Sequence, residues 1–422
     1  MSASVAVPVA SFRKAEALIR LFGARVRRER GGAMAKRIIA VSVVAVALAL
    51  AAVAVAQGEV ALTPKEELGK MLFFDENLSV NLNQSCATCH APEVGWTGPN
   101  EVINAHGTVY EGSIPGAFGD RKPPSSAYGG GSPILYMDKK GVWVGGMFWD
   151  GRATGWTLGD PLAEQAKGPF LNPMEQAIPD ASTLVAKVQA SSYVGLFEEV
   201  WGTGIWTDTT AAYDAIGYSI AAYERSAEVN PYSSKFDAWR RGKAKLTLEE
   251  LRGWALFNGK GKCSKCHISH PSGTTPPLFT DFTYDNLGAP KNPENPATIA
   301  DPLWADPGLG GFLRSAGYSA AVYEAAWGKF KVPTRRNVDL RPYPEFVKAY
   351  GHNGYFKSLE QIVHFYNTRD VPGEGWMGDP WPAPEVAENV NTAELGNLGL
   401  TADEEAAIVA FMKTLSDGYV AP

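Results

Sequence analysis

Two distant stretches of the chain repeat one alternation of apolar and polar positions. "LTPKEELGKMLF" (62–73) and "LTLEELRGWALF" (246–257) both open with Thr-x-x-Glu and close with Gly-x-x-Leu-Phe. Thr-x-x-Glu is a capping box: the hydroxyl and the carboxylate satisfy backbone N–H groups that the first helical turn leaves free. The apolar residues that follow share one helical face. The pattern therefore predicts a helix at each place, and its recurrence predicts two homologous units. A third capping box, "LTADEE" (400–405), predicts a last helix whose apolar face is Ile408, Phe411, Met412 and Leu415. Between these segments Gly and Pro are frequent and strand-like alternation is sparse. The expected fold class is mainly α with long loops. The expected boundary lies near "SAEVNPYSSKFDAWRRG" (226–242), giving units 57–230 and 231–422.

The longest apolar run is of another kind. Lys36 and Arg37 precede an uncharged stretch from Ile38 to Val55, and Ala54-Val55-Ala56 stands before Gln57. A basic start, an apolar centre and an A-x-A site predict a secretory signal over residues 1–56, with Met34 as a candidate start. Left uncleaved, the run is nearly long enough to anchor the chain in a bilayer. Either way the body is expected outside the cytoplasm, in the periplasm. Residues 1–56 hold nine Lys/Arg and two Asp/Glu, whereas residues 57–422 hold 30 and 43. So acidic a body argues against nucleic acid and for a basic protein partner or simple solubility.

All four cysteines stand in "QSCATCH" (84–90) and "GKCSKCH" (261–267). Export permits disulfides, and four cysteines could make one zinc site. Neither reading explains the histidine directly after each second cysteine. Haem attachment does: two thiols add to the haem vinyl groups and the next imidazole reaches the iron. Cys86, Cys89 and His90 are expected to hold one haem c, and Cys263, Cys266 and His267 another. The two units thus become cytochrome c-like haem domains. A relay haem takes two protein ligands and a catalytic haem keeps one face open. The remaining candidates for distal ligands are His106, His270, His352, His364 and the Met and Tyr residues.

The motifs "LFFDENLS…SCATCH", "FWDGRA" (148–153), "EQAKGPFLNPMEQ" (164–176), "FTDFTYDNLGAP" (279–290), "FKVPTRRNV" (330–338) and "GHNGYFKSLEQIVHFYN" (351–367) resemble the bacterial di-haem cytochrome c peroxidases and their relative MauG, in the family's order. The resemblance covers nearly all of residues 60–416. It implies a peroxidase that reduces hydrogen peroxide with electrons from a small cytochrome c or cupredoxin. It also implies Glu175 as the acid/base of the pocket at the N-terminal haem, with Gln165 and Pro169 beside it, and Trp149 between the haems. On residue type alone, Glu175 reads as a helix-capping or solvated glutamate and Trp149 as a core residue. An insertion, "GWTLGD" (155–160), departs from the family's usual spacing.

Many members carry a distal histidine shortly before a G-x-R-N stretch. Here the stretch is "SIPGAFGDRKPPS" (113–125) and His106 lies well upstream, so the N-terminal haem is expected to have an open face, as in MauG. At the C-terminal haem the resemblance implies Tyr366 as the second ligand, where MauG has tyrosine and the classical peroxidases methionine. His364 and Met377 follow in that order. His364 and Tyr366 point roughly 200° apart on a helix, so one alone can face the iron. The family often binds Ca²⁺ through an asparagine where this chain has Lys122. A lysine repels a cation and offers no oxygen, which leaves backbone carbonyls as the donors for any calcium. His270 and His352 are expected in hydrogen-bonding or surface roles. Alternatives are a MauG-like oxidase of a protein side chain and a non-catalytic electron carrier. A homodimer is compatible with the sequence, and membrane contact is expected only through an uncleaved signal anchor.

Overall fold

The three capping boxes open three helices in the computed structural model, which describes residues 61–421. The expected signal, residues 1–56, lies outside the described residues. The helices of eight residues or more are α1 (Pro64–Phe74), α2 (Pro161–Leu171), α3 (Ala181–Gln189), α4 (Val194–Trp201), α5 (Thr209–Arg225), α6 (Leu248–Asn258), α7 (Gly308–Ser315), α8 (Leu359–Thr368) and α9 (Ala402–Lys413). Thr63, Thr247 and Thr401 each exchange cap hydrogen bonds with the glutamate three residues on. Among the described residues the strands are three two-residue antiparallel ribbons: Tyr136–Met137 with Trp143–Val144, Tyr284–Asp285 with Phe330–Lys331, and Gly375–Trp376 with Asp379–Pro380. The architecture is mainly α.

The repeated Gly-x-x-Leu-Phe has a shared structural cause. A Cβ on Gly69 of α1 would fall 1.9 Å from the carbonyl oxygen of Ser219 on α5. A Cβ on Gly253 of α6 would fall 1.8 Å from that of Ala407 on α9. Only glycine lets the two backbones meet so closely. The partner of α1 carries no capping box, since Asp208 caps α5 alone, and the sequence pattern did not mark it.

Two buried cores lie on these pairs. Leu68, Leu72 and Phe73 of α1 pack with Phe170, Ile220 and Tyr223. Phe257 of α6 packs with Phe236, Phe279 and Phe411. The chain passes from the first core at Val229 to the second at Phe236. Residues from Leu62 onward form one compact body. Among the described residues no helix is long and apolar enough to cross a membrane.

Candidate functional site

Cys86–Cys89 form a single helical turn, and both thiols and His90 line one cavity. Gln165 and Pro169 of α2, Glu175 from the turn after it, and Trp149 also line that cavity. The four residues whose roles came only from the resemblance are thus gathered at the first C-x-x-C-H. Nδ1 of His90 lies 3.2 Å from the Trp96 carbonyl oxygen, a contact that makes Nδ1 the protonated nitrogen and leaves Nε2 for a ligand. Burial pushes His90 down to about 4, so the ring is neutral.

Glu175 is half-buried, and Asn172 Nδ2 donates to its Oε1 at 2.8 Å. Burial raises its carboxyl above the usual range, against the pull of Arg152 and the Asn172 bond. Arg152 is itself fixed, with its guanidinium 3.8 Å from the Phe148 ring centre and 2.9 Å from Asp150.

The second cavity is lined by Cys263, Cys266, His267, Arg335 and Tyr366 among others. Nδ1 of His267 lies 2.9 Å from the Phe279 carbonyl oxygen. Its Nε2 meets Arg335 Nε at 3.0 Å and Nη2 at 2.8 Å. Burial and Arg335 hold His267 well below its usual range. The Nε2 lone pair is the one a metal would use, so Arg335 must leave it when a metal is taken up.

Tyr366 projects from α8 into this cavity, and burial raises its phenol. His364 turns the other way: Nδ1 is 3.0 Å from Glu405 and Nε2 is 3.1 Å from the Gly375 carbonyl oxygen. Met377 is 89% exposed in the turn of the third ribbon.

Trp149 lines both cavities. It is 9% exposed, its Nε1–H donates to the Lys122 carbonyl oxygen at 2.8 Å, and its own carbonyl accepts from the Lys331 N–H at 2.8 Å.

The remaining histidines line the first cavity nowhere. His106 is exposed beside Glu294 at 3.1 Å, and His270 is exposed. His352 borders the second cavity but is held by Glu385 at 3.0 Å and stacked on Phe330. The 155–160 insertion wraps the Glu164 carboxylate, which accepts from the N–H groups of Gly155, Thr157 and Leu158, and it stays out of the first cavity's lining.

The donor set and the unsatisfied atoms fit haem. All four thiols are free. Burial pushes Cys89 and Cys263 up to about 12, and raises Cys86 and Cys266 as well. They lack the depressed pKa of a redox-active thiolate. Among the described residues five buried side-chain polar atoms have no hydrogen-bond partner, and four belong to residues lining the cavities: Gln84, Gln176 and Glu224 in the first, Arg336 in the second. Buried polar atoms are rarely left so. Glu224, 2% exposed near the end of α5, gave no sign in the sequence; burial pushes its carboxyl up to about 8.

Residues 63–245 match the family model described as di-haem cytochrome c peroxidase. The methylamine utilization protein MauG of Paracoccus denitrificans is 37% identical over 364 residues, 84% of this chain and 89% of that protein. The cytochrome c551 peroxidase of Nitrosomonas europaea is 31% identical, over 84% of this chain and 82% of its own length. Among solved structures, the diheme peroxidase BthA of Burkholderia thailandensis superposes with a TM-score of 0.72 at 31% identity, covering 85% of this chain and 87% of that one.

Proposed function

The chain belongs to the di-haem cytochrome c peroxidase family, and on that premise we propose that it is a periplasmic enzyme reducing hydrogen peroxide to water with electrons from a small cytochrome c or cupredoxin. Its cofactors are two haems. Cys86 and Cys89 hold the first covalently and Cys263 and Cys266 the second, with His90 and His267 as iron ligands. The paired cores and the repeated glycine crossing support cytochrome c-like domains at 57–230 and 231–422. When bound, the haems supply the redox chemistry that splits the O–O bond and stores electrons.

The reaction consumes two protons and two electrons per peroxide. The observation that carries the proposal is that Glu175 and Gln165 share a cavity with the first C-x-x-C-H while Trp149 borders both cavities. Glu175, its carboxyl raised by burial and oriented by Asn172, moves a proton from one peroxide oxygen to the other. Gln165 offers a side-chain amide beside it. Trp149, held through its indole N–H, passes electrons from the second site to the first. Tyr366 is the second ligand at the C-terminal site; the engagement of both His364 nitrogens and the exposure of Met377 support this choice.

That tyrosine also favours a second reading, a MauG-like oxidase that draws electrons from an aromatic side chain of a protein substrate. Mixing the purified enzyme with reduced small c-type cytochrome and peroxide separates the two. Consumption of two cytochromes per peroxide supports the first reading. Peroxide consumption that spares the cytochrome and instead oxidises tyrosine or tryptophan side chains of an added protein supports the second, and no reaction at all rejects both.

A further inference from the structure

Lys122 is left unused by the chemistry above, yet it lines both cavities. It is 8% exposed. Its ammonium donates to Thr97 Oγ1 at 3.0 Å and to the Pro123 carbonyl oxygen at 2.9 Å. An ammonium has three N–H donors, and the third finds no partner among the described residues. No carboxylate there pairs with it, and the charge that bears on it most is a second cation, Lys357. Its backbone is clamped on both sides. The N–H donates to the His352 carbonyl at 2.8 Å and the carbonyl accepts the Trp149 indole N–H.

A buried ammonium without an anion is strongly unfavourable, and such groups persist where a counter-charge is supplied. Haems held in the two cavities would supply it, because each haem carries two carboxylates and Lys122 lines both cavities. Burial and Lys357 pull Lys122 down to about 8, which still leaves it largely charged at pH 7. The resemblance implies a calcium ion at this place, and Lys122 does not fit one. It has no side-chain oxygen, and its charge already occupies the space.

We propose that the Lys122 ammonium is the fixed cation between the two haem sites, built into the chain in place of a bound divalent ion, and that both haems respond to it. The inference rests on the two-haem reading and is independent of peroxide turnover.

Metal analysis and redox titration of the two-haem protein test it at pH 7. Wild-type protein should hold less than stoichiometric calcium, and EGTA should leave its thermal unfolding and haem spectra unchanged. Lys122→Met should lower both haem midpoint potentials, because removing a positive charge disfavours adding an electron. A role confined to packing would move neither potential. One calcium per chain, or a potential that falls at one haem alone or at neither, overturns the proposal. If Lys122→Met fails to fold, the wild-type calcium content and EGTA response decide. A two-haem protein without peroxidase activity would reject the proposed function and leave this inference standing.

Discussion

The side-chain amide of Asn172 donates to Oε1 of Glu175 across 2.8 Å, within the turn that ends α2. The bond aims the carboxyl while the other oxygen stays available for proton transfer. Glu175→Gln preserves shape and removes the transferable proton. Peroxide turnover should fall by a factor of roughly 10² or more, with haem content and small-ligand binding unchanged. Stopped-flow spectra and a pyridine haemochrome assay check both halves. Wild-type turnover in the variant would return Glu175 to a capping role.

Tyr366 and His364 differ by two helical positions and have separate surroundings. Tyr366→Phe should change the spin state of the C-terminal haem, whereas His364→Ala should leave it unaltered and lower stability instead. Electron paramagnetic resonance of the ferric protein reads the first and thermal unfolding the second. The reverse pattern would make His364 the ligand.

Glu224 should make stability depend on pH in a definite direction. Its folded carboxyl titrates at about 8, above the roughly 4.3 of a free glutamate. The native state therefore binds more protons between these values, and stability falls as pH rises through that window. Glu224→Gln removes the titration. Its unfolding temperature relative to wild type should climb from pH 5 to 8 and then level off. A difference independent of pH would show that the carboxyl ionises freely in the folded protein.

Gly253→Ala places a methyl group into the Ala407 carbonyl. The helix pair must separate, at a cost of about 1–3 kcal/mol. The same change at exposed Gly195, where a Cβ meets nothing within 4 Å, should leave stability nearly unaltered. Chemical denaturation of the two variants makes the comparison.

The sequence was most informative where local chemistry suffices. Capping boxes are short-range hydrogen-bond patterns, so α1, α6 and α9 were legible, whereas the close contact at the glycine inside each repeat appears only in the structure. Ser219 lies 150 positions from Gly69, and its helix begins with a single aspartate cap. The C-x-x-C-H motifs carried their own histidines. The gathering of Gln165, Glu175 and Trp149 was expected from resemblance alone, because those residues meet only when the long loops fold back. Glu224, Arg335 and Lys122 acquire their character from burial and from neighbours far along the chain. Nothing in the immediate context of Glu224 or Arg335 separates them from ordinary surface charges, and Lys122 stood out only through the resemblance, as a lysine where the family has asparagine.

The helix pairs that meet at Gly69 and Gly253 also delimit where this architecture can change. Cys86, Lys122, Trp149, Gln165 and Glu175 all fall between α1 and α5, and Cys263, His267, Arg335 and Tyr366 all fall between α6 and α9. Each pair acts as a clasp around the loops and helices that line the cavities. The 155–160 insertion braces the first closure from inside, since the Leu158 carbonyl accepts from the Tyr218 hydroxyl and Asp160 pairs with Arg225, both on α5. The glycines of each clasp leave no room for a side chain where the helices cross, so a substitution there would part the helices that frame the cavities rather than alter the cavity lining itself.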